Sequence, residues 1–461
     1  MTTTVKTSPA RRPVAMMLVM SIQPRARVTV IGAGYLGLTH AVCLADLGYE
    51  VLAIDVDADR VAQAARGEAP FFEPGLEPLL RKNLDAGRLR FGASYADAGN
   101  FGDIHFLCVG TPQADEGAAD LSYVHAAADA LAPHLRPGSL VVGKSTVPVG
   151  TARALLDRLR RNAPDPARVD LAWNPEFLRE GHAVQDSLTP DRFVFGVTSP
   201  AAEQALRDVY AKPLAGGIPA LVMDLETAEL VKVAANAFLA TKISFINAMA
   251  EVCEAAHADV TMLSEALGHD PRIGRASMRP GLGFGGGCLP KDIRAFMARA
   301  EELGVEPALS FLRQVDDINL RRRARMVDLA REQAGGSLQG RTIGVLGVAF
   351  KPDSDDIRDS PALDVAATIH GLGATVTVYD PAAMGHARRA HPELGYAGSA
   401  VEAVTGADVT LLLTEWQEFR EADPEELGKA VAQRNIVDGR NALDADRWRG
   451  ASWVYRALGR P

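Results

Sequence analysis

The stretch Arg27-Val28-Thr29-Val30-Ile31-Gly32-Ala33-Gly34-Tyr35-Leu36-Gly37 decides the fold. Its first half is a β-branched run typical of a buried strand, and its second half is a turn with three glycines. The next residues, 38–47, predict a helix that ends at Gly48. A second strand is predicted over 49–54. A strand, a glycine turn, a helix and a strand within about 30 residues indicate a βαβ unit and therefore a parallel sheet.

This unit carries the features of a dinucleotide site. Gly32 would permit the tight turn, Gly34 would let the backbone approach a pyrophosphate, and Gly37 would let the helix pack closely on the sheet. The helix N-terminus favours the negative charge of a pyrophosphate. Asp55 closes the second strand, where its carboxylate would accept hydrogen bonds from a ribose 2′-OH and repel a 2′-phosphate. The pattern predicts NAD rather than NADP; the alternative is a turn that binds another nucleotide, or none.

The rest of the chain repeats this pattern of strands and helices on both sides of a helical middle section. Buried strands are predicted over 104–109, 140–143, 169–173 and 193–197, and a second set over 342–347, 374–380, 408–413 and 435–438. Residues 227–258 contain almost no Gly or Pro and predict one long helix, or two in tandem, suited to a linker and dimer element. We therefore expect an α/β protein with two doubly wound Rossmann-like domains joined by a long central helix or helical domain.

The expected boundaries follow from these changes in texture. They give a flexible N-terminal tail, an NAD-binding domain, a central helical domain that holds a cysteine loop, and a second Rossmann-like domain, at residues 1–26, 27–215, 216–325 and 326–461. The tail contains Arg11-Arg12 and a short apolar run without a small-residue cleavage site. This favours a disordered tail, or a start codon assigned upstream of Met20, over a signal peptide.

Composition limits the partners. The 461 residues carry a net charge of −9 with 47% hydrophobic residues, which argues against nucleic acid or an anionic membrane as the main partner. The chain has no apolar window of the 18 or more residues that favour a membrane span. The four cysteines are too widely spaced for a disulfide framework or a zinc pattern. We expect a cytoplasmic protein without a metal site.

Four segments carry polar residues that packing alone does not explain. Residues 144–151 (K-S-T-V-P-V-G-T) and 174–181 (N-P-E-F-L-R-E-G) each follow a predicted strand, where open α/β sheets bind ligands. Lys232 and Asn236 share one helix face at i and i+4. In 283–292 (G-F-G-G-G-C-L-P-K-D), a thiol follows a glycine run, and loop amides and Lys291 could stabilise its thiolate.

Each segment also has a purely structural explanation. Strand-end Asn and Glu residues often cap loops, and a lysine on a helix is usually a solvated charge. A lone cysteine is usually a small buried hydrophobe. We interpret Cys43, Cys108 and Cys253 in that way, because they fall inside predicted elements, whereas the glycines before Cys288 leave it little to pack against.

Taken together, the motifs resemble a known family. The set G-A-G-Y-L-G-L, C-V-G-T-P, K-S-T-V-P-V-G-T, N-P-E-F-L-R-E-G, K-V-A-A-N-A-F-L-A-T-K-I-S-F-I-N, G-F-G-G-G-C-L-P-K-D, F-K-P-D-S-D-D-I-R-D-S-P and D-G-R-N occurs in that order from Gly32 to Asn441. This is similar to the UDP-glucose/GDP-mannose dehydrogenase family. One departure is Gly287, where the family more often has Ser before the cysteine, a change that could loosen the loop.

The resemblance implies two successive NAD-dependent oxidations at C6 of UDP-glucose, which give UDP-glucuronate. A thiohemiacetal and then a thioester would form on Cys288. The alternative is the same chemistry on GDP-mannose, UDP-N-acetylglucosamine or UDP-N-acetylmannosamine. The cofactor would have to leave and be replaced while the sugar stays bound, so the NAD domain should move relative to the sugar-nucleotide domain.

The resemblance also implies site residues. It gives catalytic roles to Cys288, Lys232, Asn236, Asp292, Glu176 and Thr146. It gives cofactor contacts to Gly32, Gly34, Tyr35, Leu36, Gly37, Asp55, Arg60, Thr111, Thr146, Glu180, Lys291 and Arg358. Sugar-nucleotide contacts fall to Glu176, Phe177, Leu178, Lys232, Asn236, Arg272, Gly285, Lys351 and Arg440. The matching family arginine reaches the neighbouring subunit's substrate, so Arg272 implies a homodimer or a higher homo-oligomer; its alternative is an exposed surface charge.

Overall fold

The first of two sheets occupies the N-terminal part of the computed structural model, which describes residues 26–114 and 117–460. The expectation for the tail therefore lies almost wholly outside the described residues. The strands of this sheet are β1 (Val28–Ile31), β2 (Val51–Ile54), β3 (Leu89–Gly92), β4 (Ile104–Leu107), β5 (Leu140–Gly143), β6 (Asp170–Trp173), β7 (Phe193–Val197) and β8 (Ala220–Met223). Their order is β3-β2-β1-β4-β5-β6-β7-β8.

Helices cover both faces of this sheet and bury its apolar strands. They are α1 (Tyr35–Asp46), α2 (Ala58–Ala65), α3 (Leu76–Asp85), α4 (Tyr95–Phe101), α5 (Ser122–Leu131), α6 (Thr151–Asn162), α7 (Ala183–Leu188), α8 (Pro200–Val209) and α9 (Ala211–Ala215). Helix α1 starts directly after Gly34, earlier than the sequence predicted, and ends before Gly48, whose φ of 99° confirms the expected glycine C-terminal signal.

A helical middle section joins this sheet to the second one. It consists of α10 (Leu225–Ala256), α11 (Val260–Gly268), α12 (Leu289–Glu302) and α13 (Phe311–Gln333). Helix α10 is one continuous helix, with Asp224 as its N-cap accepting from the Thr227 N–H at 2.8 Å. Among the described residues it is the one helix that could cross a membrane by length and composition, and it packs against β7, α12 and α13 as a central helix of the fold.

The second sheet is also covered by helices. Its strands are β9 (Thr342–Leu346), β10 (Thr375–Tyr379), β11 (Gly395–Tyr396), β12 (Val409–Leu412), β13 (Asn435–Asp438) and β14 (Val454–Ala457). Their order β11-β10-β9-β12-β13-β14 is parallel throughout. The covering helices are α14 (Pro361–Gly371), α15 (Met384–Ala390), α16 (Ala400–Val404), α17 (Gln417–Glu421), α18 (Pro424–Ala430) and α19 (Ala445–Gly450). The predicted class, two doubly wound domains joined by a long helix, is confirmed.

One prediction about the first sheet was wrong. Strand β7 pairs with β6 in the antiparallel direction, through Ala172 with Val197 and Trp173 with Gly196. The chain after β6 stays at one end of the sheet and packs α7 against α1 instead of crossing over the sheet. Burial on both faces made the strand look parallel, yet such burial carries no information about strand direction.

The sequence also missed strands β3, β8, β11 and β14, each of which lies at an edge of its sheet. These strands are partly exposed, so they lack the continuous apolar runs that identified the central strands. The central strands end where the motif segments begin. The turns after β1, β4, β5 and β6 therefore lie close together at the carboxyl ends of these strands, facing α10 and α12.

Candidate active site

The first glycine turn, between β1 and α1, borders open space. Gly32 has a φ of 95°, which side-chain-bearing residues rarely adopt. A Cβ at Gly37 would lie 1.8 Å from the Gly32 carbonyl oxygen, so this close approach requires glycine. At Gly34, in contrast, a Cβ would meet no atom of the described residues within 4 Å. The residues present therefore fit a pyrophosphate at the N-terminus of α1.

Asp55 lies across the turn from Gly34 at the end of β2. Its Oδ2 accepts from the Ala33 N–H at 2.6 Å, and its Oδ1 accepts from the Asp57 N–H at 2.9 Å. Arg60 donates Nη1–H to Oδ2 at 3.1 Å and is about one-third exposed. The carboxylate is thus held at the sheet edge, with Arg60 beside it. This is the position from which an acid contacts a ribose diol.

The other predicted cofactor residues around the turn hold neighbouring loops. Tyr35 donates its hydroxyl to Glu73 and accepts from the Gly181 N–H at 3.2 Å. Leu36 packs against the apolar core of the first sheet. Thr111 donates its hydroxyl to the Thr146 carbonyl at 2.9 Å, which joins the turns after β4 and β5.

A compact polar cluster lies where α10 and α12 face the ends of β5 and β6. Lys232 Nζ lies 2.9 Å from Glu176 Oε1, and Glu176 Oε2 accepts from the Leu178 N–H at 2.8 Å. Asn236 donates to Asp292 Oδ2 at 2.6 Å. Cys288 is the N-cap residue of α12, one turn before Asp292. The structure thereby brings together the thiol, the lysine, the amide and both carboxylates that the sequence singled out.

Phe177 lies beside the cluster. The Lys232 ammonium is 5.7 Å from the centre of its ring, and the Arg192 guanidinium stacks over the same ring at 3.9 Å. Burial by itself lowers the pKa of Lys232, but the carboxylates of Glu176 and Asp292 outweigh it, so the pKa is raised and the ammonium stays charged.

The Cys288 environment differs from the sequence expectation. Solvent reaches this residue, unlike the buried Cys43, Cys108 and Cys253, whose predicted burial is confirmed. The surrounding protein nevertheless desolvates the thiol, and with the negative charge of Glu176 this raises its pKa to about 12. The Lys232 ammonium opposes this shift, and Lys351 and Arg358 also interact with the sulfur, whereas the sequence pointed to Lys291. Lys291 instead binds Asp292 Oδ1 at 2.7 Å.

Thr146 faces a small cavity against α12. The cavity has a volume of about 10 Å³, and its walls include Thr146, Lys291 and Asp292. That volume is close to the space that one water molecule needs, and polar groups are available to bind it. The arrangement can hold a single water next to the carboxylate of Asp292.

Glu180 connects the first domain to the loop that follows β9. Its Oε2 accepts from the Ser354 hydroxyl at 3.0 Å, its backbone carbonyl accepts from Lys351 Nζ, and Arg358 Nη2 lies 3.5 Å from Oε1. Burial and the nearby charge of Asp356 raise the pKa of Glu180 to about 7. Lys351 and Arg358 thus lie at the contact between the two α/β domains, near the polar cluster.

A wider cleft of about 390 Å³ opens on the other side of the glycine loop. It is rich in arginine, and its lining includes Arg275, Arg279 and Arg440 with Glu415. Arg440 lies at its floor, where it donates to the carbonyls of Leu413, Gly283 and Phe350 at 2.6, 2.9 and 3.0 Å. A local positive patch on an acidic protein fits an anionic diphosphate.

Two glycines of the loop have packing roles. A Cβ at Gly285 would lie 2.3 Å from the Asp359 carbonyl oxygen, so Gly285 permits close approach to the β9 loop. A Cβ at Gly287 would lie 2.3 Å from Cζ of Arg358. The Arg358 guanidinium therefore fills the space that a serine would occupy at Gly287. At the position before Cys288, where the family more often has a serine, this chain has a glycine, and the Arg358 side chain lies in the space that the serine would need.

Arg272 is not part of the cluster within one chain. Its side chain is 87% exposed and paired with Asp270 at 2.6 Å. Its expected reach to a neighbouring subunit stays a prediction. Among the described residues, no group of three or more His, Cys, Asp or Glu side chains could hold a metal ion.

The sequence missed several residues that support the site. Glu73 accepts from the Gly181 and Ala183 N–H groups at 2.7 Å each. Lys144 is buried and donates to Asn174 Oδ1 at 3.0 Å, directly before the loop that carries Glu176. Of Glu73 and Lys144, Lys144 lies within the motif K-S-T-V-P-V-G-T, where its side chain holds the loop after β6. Long-range contacts of this kind leave no periodic signal in the sequence.

Fold and site together define an NAD-dependent oxidoreductase. Profiles of the UDP-glucose/GDP-mannose dehydrogenase family match the chain three times: the NAD binding domain at residues 26–214, the central domain at 226–321 and the UDP binding domain at 344–445. The chain therefore belongs to the UDP-glucose/GDP-mannose dehydrogenase family.

Individual relatives support this membership. A UDP-glucose 6-dehydrogenase of Pseudomonas aeruginosa is 41% identical over 94% of this chain and 98% of its own, and one of Rhizobium meliloti is 39% identical over 94% and 100%. Among solved structures, a UDP-glucose dehydrogenase from Pyrobaculum islandicum has a TM-score of 0.88 at 38% identity, covering 96% of this chain and 100% of its own. A UDP-D-ManNAc dehydrogenase from Pyrococcus horikoshii has a TM-score of 0.81 at 28% identity, covering 94% and 99%.

Proposed function

We propose that the protein oxidises UDP-glucose at C6 to UDP-glucuronate in two NAD-dependent steps at one site. The observation that carries the proposal is the convergence of Cys288, Lys232, Asn236, Glu176 and Asp292 between the glycine turn and the arginine-rich cleft. The names of the relatives support UDP-glucose over other nucleotide sugars, because several UDP-glucose 6-dehydrogenases exceed 35% identity whereas the UDP-D-ManNAc dehydrogenase is 28% identical.

Two NAD molecules, bound one after the other at the glycine turn, would each accept one hydride. In the first oxidation, the C6 hydroxyl loses a proton to a carboxylate while its carbon loses a hydride, leaving an aldehyde. Lys232 and Asn236 lie on one face of α10 and would stabilise the charge that develops on the C6 oxygen. Glu176 and Asp292 are the candidate bases.

Cys288 would then hold the aldehyde. Its sulfur adds to the carbonyl carbon and the thiol proton passes to the carbonyl oxygen, which forms a thiohemiacetal that can lose a second hydride. Because the resting group is a thiol, this addition needs a neighbouring base and the Lys232 charge. The second oxidation leaves a thioester. Water in the cavity beside Thr146 and Asp292 attacks it, the C–S bond breaks, and the acid and the thiol are released.

The remaining assignments complete the proposal. The NAD domain is 27–215, the central domain 216–325 and the UDP-sugar domain 326–461. Lys351, Arg440 and the wider cleft hold the UDP group, while Glu180, Lys291 and Arg358 border the cofactor. The protein is proposed to work in the cytoplasm.

We also propose a homodimer that forms through α10. Phe238, Phe245 and Val252 recur every seven residues and are 66%, 48% and 57% exposed, so they form an apolar stripe on one face. A second copy of the chain would cover this stripe and bring Arg272 towards the other subunit's cleft. Light scattering should give twice the chain mass for the wild-type protein and the chain mass for Phe238→Glu.

The substrate experiment compares the initial rate of NADH formation with UDP-glucose, GDP-mannose, UDP-N-acetylglucosamine and UDP-N-acetylmannosamine. UDP-glucose should give the largest kcat/KM. A larger value with any of the other three would assign the alternative substrate while leaving the C6 chemistry in place.

A further inference from the structure

A buried glutamate and a partly exposed arginine outside the catalytic cluster hold the turn that carries Thr146. Glu229 on α10 accepts from the Gly150 N–H at 2.7 Å through Oε2 and from the Ala152 N–H at 2.6 Å through Oε1. Its side chain is almost fully buried. These amides belong to the first turn of α6, which has no side-chain cap of its own. A carboxylate from another helix thus satisfies them.

Arg299 on α12 holds the same turn from the other side. Its Nη2 and Nε donate to the Val149 carbonyl at 2.8 and 3.1 Å. Gly150 has a φ of 95°, and a Cβ there would lie 3.3 Å from the Arg299 guanidinium. The turn between β5 and α6 is therefore fixed by one side chain from each of two helices.

These are the helices that carry the chemistry. Glu229, Lys232 and Asn236 follow at i, i+3 and i+7 and so share one face of α10, and Asp292 and Arg299 are separated by seven residues on α12. The one-water cavity lies between the turn and α12, and Thr146, Asp292 and Arg299 are all part of its wall. Its width follows from where Glu229 and Arg299 hold the turn.

We propose that Glu229 and Arg299 are positioning residues for the hydrolytic step: they keep the cavity beside Asp292 at the size of one water molecule. This rests on the proposed function, which requires a water to release the acid from Cys288. If the turn moves away from α12, the cavity widens and the water loses its orientation toward the thioester. Of the residues assigned to catalysis the turn carries Thr146, which borders the cavity, whereas Lys232 and Asn236 lie on α10, so the two hydride-transfer steps should continue.

The test follows the first turnover of the full-length variants Glu229→Gln and Arg299→Ala with UDP-glucose and NAD. NADH should form at close to the wild-type rate, while release of UDP-glucuronate slows roughly 10- to 100-fold. Intact mass spectrometry should then detect the sugar-nucleotide acyl group accumulating on the protein, and this adduct should be lost when Cys288 is replaced. Arg299→Lys retains a donor toward Val149 and should restore release in part.

The matched control is the Arg153–Glu226 ion pair. It joins the same helices α6 and α10, with Nε to Oε1 at 2.5 Å, but its partly exposed side chains bond to each other and not to the backbone of the turn. Arg153→Ala should behave as the wild type does.

Acid release that keeps pace with NADH in the Glu229 and Arg299 variants would overturn the inference. So would an equal slowing of every step together with a lowered melting temperature, since that is the mark of a general structural role. Failure of the wild type to oxidise UDP-glucose would instead overturn the proposed function.

Discussion

The two α/β domains use the same strand, glycine turn and acid in different ways. In the first domain, Gly32 and Asp55 close β1 and β2, and in the second, Gly347 and Asp380 close β9 and β10. Both glycines have a positive φ, 95° and 93°. The backbone pattern of a nucleotide-binding turn is therefore present twice in the chain.

The difference lies two residues further on. Gly34 borders open space and opens α1 immediately, whereas the second domain has Ala349 at the matching position, and its backbone carbonyl accepts from the Thr414 hydroxyl at 2.6 Å. The next helix, α14, begins only at Pro361. Without an open glycine and a helix N-terminus, the second turn has no cradle for a pyrophosphate.

The two acids differ in the same sense. Asp380 is 1% exposed and accepts from the Val348, Ala349, Ala382 and Ala383 N–H groups and from Trp416 Nε1–H. Asp55 accepts from two N–H groups and Arg60 at the sheet edge. The Asp380 carboxylate stabilises the fold of the second domain, whereas the Asp55 carboxylate lies next to the candidate cofactor site. The repeated sequence pattern therefore identifies a backbone conformation that both domains share. Whether such a turn can bind a cofactor depends on the contacts that its acid makes.

The largest expected effect is on stability, from Asp380→Ala. Several buried N–H groups lose their acceptor, so the free energy of unfolding should fall by about 3 kcal/mol. Thermal unfolding followed by circular dichroism measures it, and the KM for NAD should stay unchanged in the folded fraction. A raised KM with an unchanged melting temperature would mean that the second turn binds the cofactor.

The next effect is on cofactor affinity, from Gly34→Ala. The added methyl group meets no protein atom, so the melting temperature should not change, but it projects where the pyrophosphate would lie. The Kd for NAD should rise roughly tenfold or more, as for other overpacked contacts. The mirror variant Ala349→Gly serves as the control and should bind NAD as the wild type does. Equal changes in the Kd for NAD at the two turns would mean that the second turn also contributes to the cofactor site.

A smaller effect concerns the choice between NAD and NADP. Asp55→Asn removes the charge that repels a 2′-phosphate and breaks one of the two ion pairs of Arg60, which keeps its pair with Asp57. The preference for NAD, expressed as the ratio of kcat/KM values, should drop roughly tenfold. An unchanged ratio would show that Asp55 does not face the ribose.

The smallest effect is a pH dependence at the contact between the domains. The pKa of Glu180 is raised to about 7 by burial, so its neutral form is the one that the folded protein favours. The stability it contributes is present below its unfolded pKa and is lost as the pH rises through about 7. Glu180→Gln should therefore flatten the fall in melting temperature between pH 5 and 8. A steeper fall in this variant than in the wild type would contradict the sign.

Much of the fold and part of the site could be predicted from the sequence. The central strands are apolar on both faces, and the glycine turn and α10 have strong local signals. The four edge strands and the direction of β7 left no such signal. In the site, motif segments predicted the Cys288 cluster. The high pKa of the Cys288 thiol depends on groups that are distant in sequence. The same is true of the hydrogen bonds from Glu229 and Arg299 to the turn between β5 and α6, because only folding brings these groups together.

The proposed four-electron oxidation passes through intermediates in which the sugar is bound to one thiol, Cys288. The most direct measurement counts NADH formed per UDP-glucose consumed by the purified protein, with the acid quantified in parallel. We expect two NADH and one UDP-glucuronate per UDP-glucose, and no acid from Cys288→Ser although that variant still binds NAD. One NADH per sugar with free aldehyde as the product, or undiminished acid from Cys288→Ser, would contradict it.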